Sequence, residues 1–317
     1  MSTLEVKEVS YVYGKGTPFE KKALDSVSVR FDAGKITGII GHTGSGKSTL
    51  VNLLNGLLTP SEGKISFNGT DISEKTATLL KRELSKQKDH PLSQRKSKRE
   101  LKKEIERKKN ALRFRIGLVM QYPEYQLFAD TVIEDIGYGP RNMGLDEQEI
   151  LACSKEAADM VGISEQMYER SPFDLSGGEK RRVAIAGILS MHPEILILDE
   201  PAAGLDPIGR KTVFEAIAKY NRETGATVIL VSHSMEDLAT YCDKVLVMHN
   251  GKVHRHGTVS EVFSVTSELP ALGLDIPQVA HIAAMLKEKG IELQGNLYTV
   301  DGLEKAILAR LKGGDAV

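Results

Sequence analysis

The stretch KITGIIGHTGSGKSTLVNLL, Lys35 to Leu54, constrains the fold more than any other. A short apolar run ends in glycine, a glycine-rich loop follows, and apolar residues then recur with helical spacing, which reads as strand, loop, helix. Gly41 to Ser48 fits the G-x-x-x-x-G-K-[ST] pattern of a phosphate-cradling loop. Its glycines let the backbone wrap a phosphate with N–H groups turned inward, and the free N–H groups of the helix start attract anions. Lys47 is placed to neutralise β- and γ-phosphates and Ser48 to ligate Mg2+, with Gly41, Thr43, Gly44, Ser45, Gly46 and Thr49 completing the cradle. His42 reads as a spacer.

FRIGLVMQ, PEILILDEP and ATVILVSHS are short apolar runs alternating with helical stretches such as RRVAIAGILSM. Strands that are apolar throughout are buried on both faces, so an α/β fold with a mainly parallel, helix-covered sheet is expected. The strand ILILD ends in Asp199 and Glu200. With the cradle in the same chain, Asp199 is expected to hold the Mg2+ shell and Glu200 to polarise an attacking water, help worth about 10²–10⁴ in rate. His233 follows TVILVS and Gln121 follows IGLVM, both at the strand-end edge where such sheets bind ligands. Taken singly, each is also an ordinary polar residue. LEVKEVSYVY and ALDSVSVRF alternate like half-buried strands, and KVLVMHNGKVHRHG reads as a hairpin turning at Asn250-Gly251. His254 and His256 fall in that hairpin and read as core or surface residues rather than a metal pair.

A second helix start, LSGGEKRR from Leu175 to Arg182, also offers outward N–H groups, at Ser176, Gly177 and Gly178. One chain with one cradle has no obvious use for two anion-facing helix ends.

The 317 residues carry a net charge of -1, but residues 75–115 hold 16 Lys and Arg against 5 Asp and Glu. Residues 74–113 read as an exposed insertion, mobile or helical, with Pro91 interrupting it and a thin stripe of Leu101, Ile105 and Leu112. It is either a solvated arm or a contact for anionic lipid headgroups. Cys153 and Cys242 make no disulfide framework and read as free thiols of a reducing compartment. The N-terminus has no apolar signal-peptide core, and no apolar run approaches the ~20 residues of a membrane span. In the tail, Ile276, Val279, Ala283 and Leu286 share a helical face, and Asp301 with Glu304 has capping-box spacing. Two such short helices need the main domain or another subunit to pack against.

The set and order of the phosphate loop, Gln121, LSGGEKRR, ILILDEP, AGLD and His233 closely resembles the ATP-binding subunits of ABC transporters, over residues 3–260 without the basic insertion. More narrowly, QYPEYQLFADTVIEDIGYGPRNMGL and GLDIPQVAHIAAMLKEKG are similar to the ATPases of energy-coupling factor (ECF) transporters, importers of vitamins and transition metals, and most similar to the second of their two ATPases. The resemblance implies a P-loop ABC ATPase domain over residues 1–265. It would comprise a mainly parallel core sheet, an antiparallel β subdomain and a helical signature subdomain at 122–190, followed by a helical extension at 266–317. It implies ATP and Mg2+ as ligands and an ATP hydrolase that powers import. It also answers the question of the second helix start: two subunits meet head to tail, and each ATP lies between one cradle and the other subunit's Ser176, Gly177 and Gly178. By matching position Tyr13 stacks on adenine, with Tyr11 the competing candidate, and Asp206 lies at the subunit interface. Gln121 approaches Mg2+ and water while connecting to the groove where a membrane partner docks. Expected partners are a second ATPase subunit (a heterodimer is favoured, a homodimer open), an integral-membrane coupling subunit and a substrate-binding membrane subunit. The expected place is the cytoplasmic face of the membrane, with no nucleic acid. An ATPase of another importer or an exporter is the alternative, and a soluble ABC protein acting on ribosomes or nucleic acid a further one.

Overall fold

A computed structural model of the chain describes residues 2–74, 76–86, 96–264 and 268–314. The break expected at Pro91 and the domain boundary expected at 265/266 lie outside the described residues. In chain order the elements begin with β1 (Leu4–Tyr13), β2 (Lys21–Phe31), β3 (Ile36–Ile40), α1 (Lys47–Leu54), β4 (Glu62–Phe67) and β5 (Thr70–Asp71). There follow α2 (Thr76–Lys86), α3 (Lys98–Arg115), β6 (Ile116–Val119), α4 (Val132–Met143), α5 (Glu147–Met160) and α6 (Gly177–Leu189). Then come β7 (Ile195–Asp199), α7 (Pro207–Thr224), β8 (Thr227–Val231), α8 (Met235–Tyr241), β9 (Lys244–His249) and β10 (Lys252–Thr258). The chain closes with α9 (Val259–Phe263), α10 (Glu268–Ala271), α11 (Gln278–Glu288) and α12 (Val300–Gly314).

A six-stranded sheet runs β10-β9-β3-β8-β7-β6, parallel except for the antiparallel edge strand β10. Strand alternation divides its side chains between two cores. Ile40, Leu196, Leu198, Val228 and Leu230 face α6, α7 and α8, whereas Ile39, Ile195, Ile197 and Ile229 face α1 and the second sheet. That second sheet is antiparallel, β2-β1-β4-β5, and contributes Leu4, Val6, Phe31, Ile65 and Phe67. Burial on both faces is why the central strands read as unbroken apolar runs. The β9–β10 hairpin turns at Asn250 (φ 49°) and Gly251 (φ 76°), the double positive φ that suits tight hairpins. Gly251 N–H donates to the Ser45 carbonyl (3.0 Å) and Asp25 N–H to the Gly251 carbonyl (2.9 Å). The hairpin turn therefore pins the phosphate loop to β2.

Residues 130–170 read as mostly helical with Gly and Pro punctuation at GYGPRNMG, and α4 runs on through Pro140 to its C-cap at Gly144. A Cβ on Gly137 would meet Ile150 Cγ2 at 2.9 Å, and one on Gly139 would meet Met191 Cγ at 2.6 Å, so these glycines serve close helix packing. Pro140 lacks the N–H that would bond the Ile136 carbonyl one turn back. The Ser190 hydroxyl, from the residue after α6, donates to that carbonyl at 2.9 Å in a buried setting.

The basic insertion is helical over its described residues. Ser97 and Glu100 form a capping box at the start of α3, and α3 runs into β6 without an intervening loop. Leu101 and Ile105 pack with Leu80 of α2 in a small separate core, while Glu104 pairs with Lys96 (2.6 Å) and Lys108 (3.1 Å). The tail packs on the main domain: Leu269, Leu274, Ile276 and Ala280 join the larger core. Its last helix corrects the capping box expected at Asp301. α12 begins at Val300, and the hydroxyl of Thr299, the residue before it, accepts from Gly302 N–H (3.2 Å). Cys153 and Cys242 are free, and burial pushes the Cys242 thiol pKa up.

Ser190→Ala should leave the Ile136 carbonyl buried and unpaired, at a cost of about 1–3 kcal/mol. Adding Pro140→Ala restores a backbone donor and should recover most of that loss in urea unfolding. A double variant no more stable than Ser190→Ala would refute the assignment.

Candidate functional site

Gly46 ends the phosphate loop at φ 102° and leads into α1. A side chain there would be strained, and its Cβ would sit 2.8 Å from the Ala23 carbonyl. The loop folds around its own lysine: Lys47 Nζ donates to the Gly41 carbonyl (2.5 Å) and the His42 carbonyl (3.2 Å). Lys47 is buried, which lowers its pKa, while Glu200 and Asp199 across the cleft oppose that shift. The carboxylates come from the end of β7, next to β3's neighbour β8. Glu200 takes a left-handed backbone (φ 52°), and its N–H donates to the Val231 carbonyl (3.0 Å).

Burial raises the pKa of Asp199, against the pull of Lys47 and a hydrogen bond from Ser48. Burial, then Asp199, pushes Glu200 up to about 7. His233 Nε2 stands 3.4 Å from Glu200 Oε1. Burial and then Lys47 hold His233 below its ordinary pKa, against the pull of Asp199. Glu200 Oε1 is buried with no hydrogen-bond partner among the described residues, an acceptor left for something that enters the cleft.

The cleft has a volume of about 430 Å³ and brings together Tyr13, Thr43, Gly44, Gly46, Lys47, Ser48, Thr49, Gln121, Asp199, Glu200 and His233. Tyr13 is 41% exposed and its hydroxyl lies 3.3 Å from Thr49 Oγ1. Tyr11 packs edge-on against Tyr13 and under the antiparallel sheet, outside the lining. Gly41 and Ser45 stay inside the loop: the first supplies its carbonyl to Lys47, and the second is fully buried with its hydroxyl turned inward. Lys21 and Ala23 also line the cleft, unforeseen from sequence. The pairing of Tyr13 with Lys21 across the β1–β2 ladder was the available signal.

Ser176, Gly177, Gly178 and Asp206 lie outside this cleft. Ser176 caps α6 and exchanges hydrogen bonds with Glu179, whose pKa they lower. A Cβ on Gly177 would meet nothing within 4 Å. Asp206 caps α7 through Gly209 N–H (2.7 Å).

The donor set fits a Mg2+ carried in by a phosphate ligand: one hydroxyl, one or two carboxylates, and space for oxygens from the ligand and water. Among the described residues no three His, Cys, Asp or Glu side chains form a metal cluster by themselves.

Residues 24–203 match the ABC transporter family profile. The energy-coupling factor transporter ATP-binding protein EcfA2 of Caldanaerobacter subterraneus subsp. tengcongensis is 44% identical over 310 residues, 98% of each chain. EcfA2 of Symbiobacterium thermophilum is 45% identical over 310 residues, 97% of each chain. Among solved structures, cbiO1 of Clostridium perfringens, part of the ABC transporter complex cbiONQ, superposes with a TM-score of 0.67 at 35% identity, covering 88% of this chain and 97% of that one.

Glu200, the base expected from the sequence, must be ionised to act in that role, and its protonation should then stop hydrolysis. Single-turnover hydrolysis at saturating Mg2+-nucleotide should fall about tenfold per pH unit on the acid side. The midpoint should lie at or below about 7, because Lys47 and bound Mg2+ pull the carboxyl down. A flat profile from about pH 5.5 to 8 would remove Glu200 from the role of base.

Proposed function

The chain belongs to the ECF transporter ATP-binding proteins of the ABC transporter family, and from that premise we propose that it binds and hydrolyses ATP as one subunit of an ECF-type importer, coupling ATP-driven subunit closure to uptake of a vitamin or transition-metal ion. Residues 1–265 form its nucleotide-binding domain and 266–317 a packing and dimerisation extension.

The observation that carries this reading is the split between two half-sites. The cradle, Asp199, Glu200, His233, Gln121 and Tyr13 converge on one cleft, whereas Ser176 and Gly177 are exposed, and Gly178 half-exposed, outside it. Gly177 has neither a positive φ nor a crowding neighbour in its own chain. A glycine with no internal need fits close approach by something outside the chain. A nucleotide γ-phosphate held in a second subunit's cradle supplies it, drawn to the start of α6 by up to ~2 kcal/mol. Mg2+ would be held by Ser48 and Asp199, with Gln121 beside it, and supplies charge neutralisation for the phosphates. Lys47 orients the β- and γ-phosphates, Glu200 takes a proton from water, a ring N–H of His233 donates a hydrogen bond to the γ-phosphate, and Tyr13 stacks on adenine. Asp206 lies at the seam.

The second subunit is a related ATPase, making a heterodimer. The membrane side of the complex comprises a coupling subunit and a substrate-binding subunit; the assignment of cbiO1 to a multi-protein complex supports that arrangement. No helix among the described residues is long and apolar enough to cross a membrane, so the chain would sit at the cytoplasmic face through its partners. The exposed aromatic group after Gln121 is the docking face: Tyr122, Tyr125, Phe128 and Tyr138.

Glu200→Gln should bind ATP about as the parent does and lose about 10²–10⁴ in turnover. It should also trap an ATP-dependent ATPase pair by light scattering; a variant hydrolysing at the parental rate sinks the base assignment. Ser176→Arg should silence the partner's nucleotide site in a complex purified from solubilised membranes. Unchanged hydrolysis there, or a tagged chain that brings no membrane subunit with it, would contradict the proposal.

A further inference from the structure

Arg181 lies one turn into α6, yet it is only 3% exposed. Its guanidinium makes a two-pronged contact with Glu124, Nε to Oε2 at 2.9 Å and Nη2 to Oε1 at 2.6 Å. Nη1 donates to the Ala203 carbonyl and, at 3.5 Å, to the Pro201 carbonyl. The guanidinium also lies 5.8 Å from the Tyr122 ring centre, beside a residue held at φ 55°. Three segments meet on this one side chain. The first is the 3-10 turn Pro123–Gln126 directly after Gln121, the second the start of α6 after Ser176, and the third the strand-end segment between Glu200 and Asp206. The guanidinium's hydrogen-bond partners Glu124, Pro201 and Ala203 do not line the cleft, so Arg181 does not serve nucleotide directly.

We infer that Arg181 is a positioning residue that transmits movement of the Gln121 turn to the Asp206 loop and the signature helix. This rests on the proposed docking of a membrane subunit at that turn. A planar fork reaches a carboxylate and two carbonyls at once, whereas the point charge of a lysine cannot. The three segments therefore shift as one body only while the arginine is present. A change of the aromatic docking face is then felt at both halves of the nucleotide cage without altering the phosphate cradle.

The test uses the intact complex in nanodiscs and the same ATPase pair stripped of its membrane subunits. ATP kcat and KM are measured in each. The parent should hydrolyse faster in the complex. Arg181→Lys and Glu124→Gln should bring the complex down to within about twofold of the stripped rate, with KM for ATP changed less than about threefold. Because breaking a buried pair can unfold a protein, Glu124→Leu with Arg181→Met is the second arm: two apolar partners keep the site packed. That double variant should fold and hydrolyse when stripped, yet show no acceleration in the complex. Full acceleration by any folded variant overturns the inference, as does an equal loss of rate with and without the membrane subunits. A parent complex that shows no acceleration overturns the docking reading itself, and this inference with it.

Discussion

The structure depends on a cation enclosed before its anion arrives. Lys47 is buried and coordinated by two carbonyls of its own loop, in the field of two desolvated carboxylates. Each of the three charges is costly to bury; the ammonium offsets the penalty of both carboxylates and they offset its own, while the two carboxylates raise each other's. Without the ammonium, Asp199 and Glu200 would face each other in a low-dielectric cleft with no counter-charge. The sheet order makes the arrangement possible, since β3, β8 and β7 are adjacent and end on the same edge. The hairpin turn at Gly251 completes it by fixing the loop that carries the lysine. One buried Glu200 oxygen has no hydrogen-bond partner among the described residues, an acceptor that a donor such as water could meet.

Much of this was legible in the sequence because strong local signals and tertiary context agree. The strands are apolar throughout, the cradle pattern sits between strand and helix, and Asn250-Gly251 specifies its own turn. Reading failed where a residue's role is set by a distant neighbour. Gly137, Gly139 and Pro140 look like breakers until Ile150, Met191 and Ser190 are packed against them. Thr299 displaced Asp301 as the cap, since a capping spacing is found in more places than it is used. Lys21 lines the cleft only through the ladder with β1. Glu124 and Arg181 give no sign of meeting, because pairing across a fold leaves no periodicity to detect.

The charge distribution follows the same division between local and global. A chain near neutrality concentrates its positive charge in residues 75–115. Lys96 just before α3, and Lys102 and Lys108 on it, pair with Glu104 and Glu106 of that helix. These are exposed pairs, each worth a few tenths of a kcal/mol, so they shape the surface of the α2–α3 pair more than its stability. What holds it is the small apolar contact among Leu80, Leu101 and Ile105.

The direct passage of α3 into β6 has a practical corollary. An 18-residue helix is about 27 Å long, and its last residue, Arg115, is followed at once by the strand that leads to Gln121. A fiducial such as a small rigid scaffold, grafted as a continuous extension of that helix, would hold a fixed bearing relative to the core sheet. Single-particle images could then be aligned on an appendage whose orientation reports that of the nucleotide cleft.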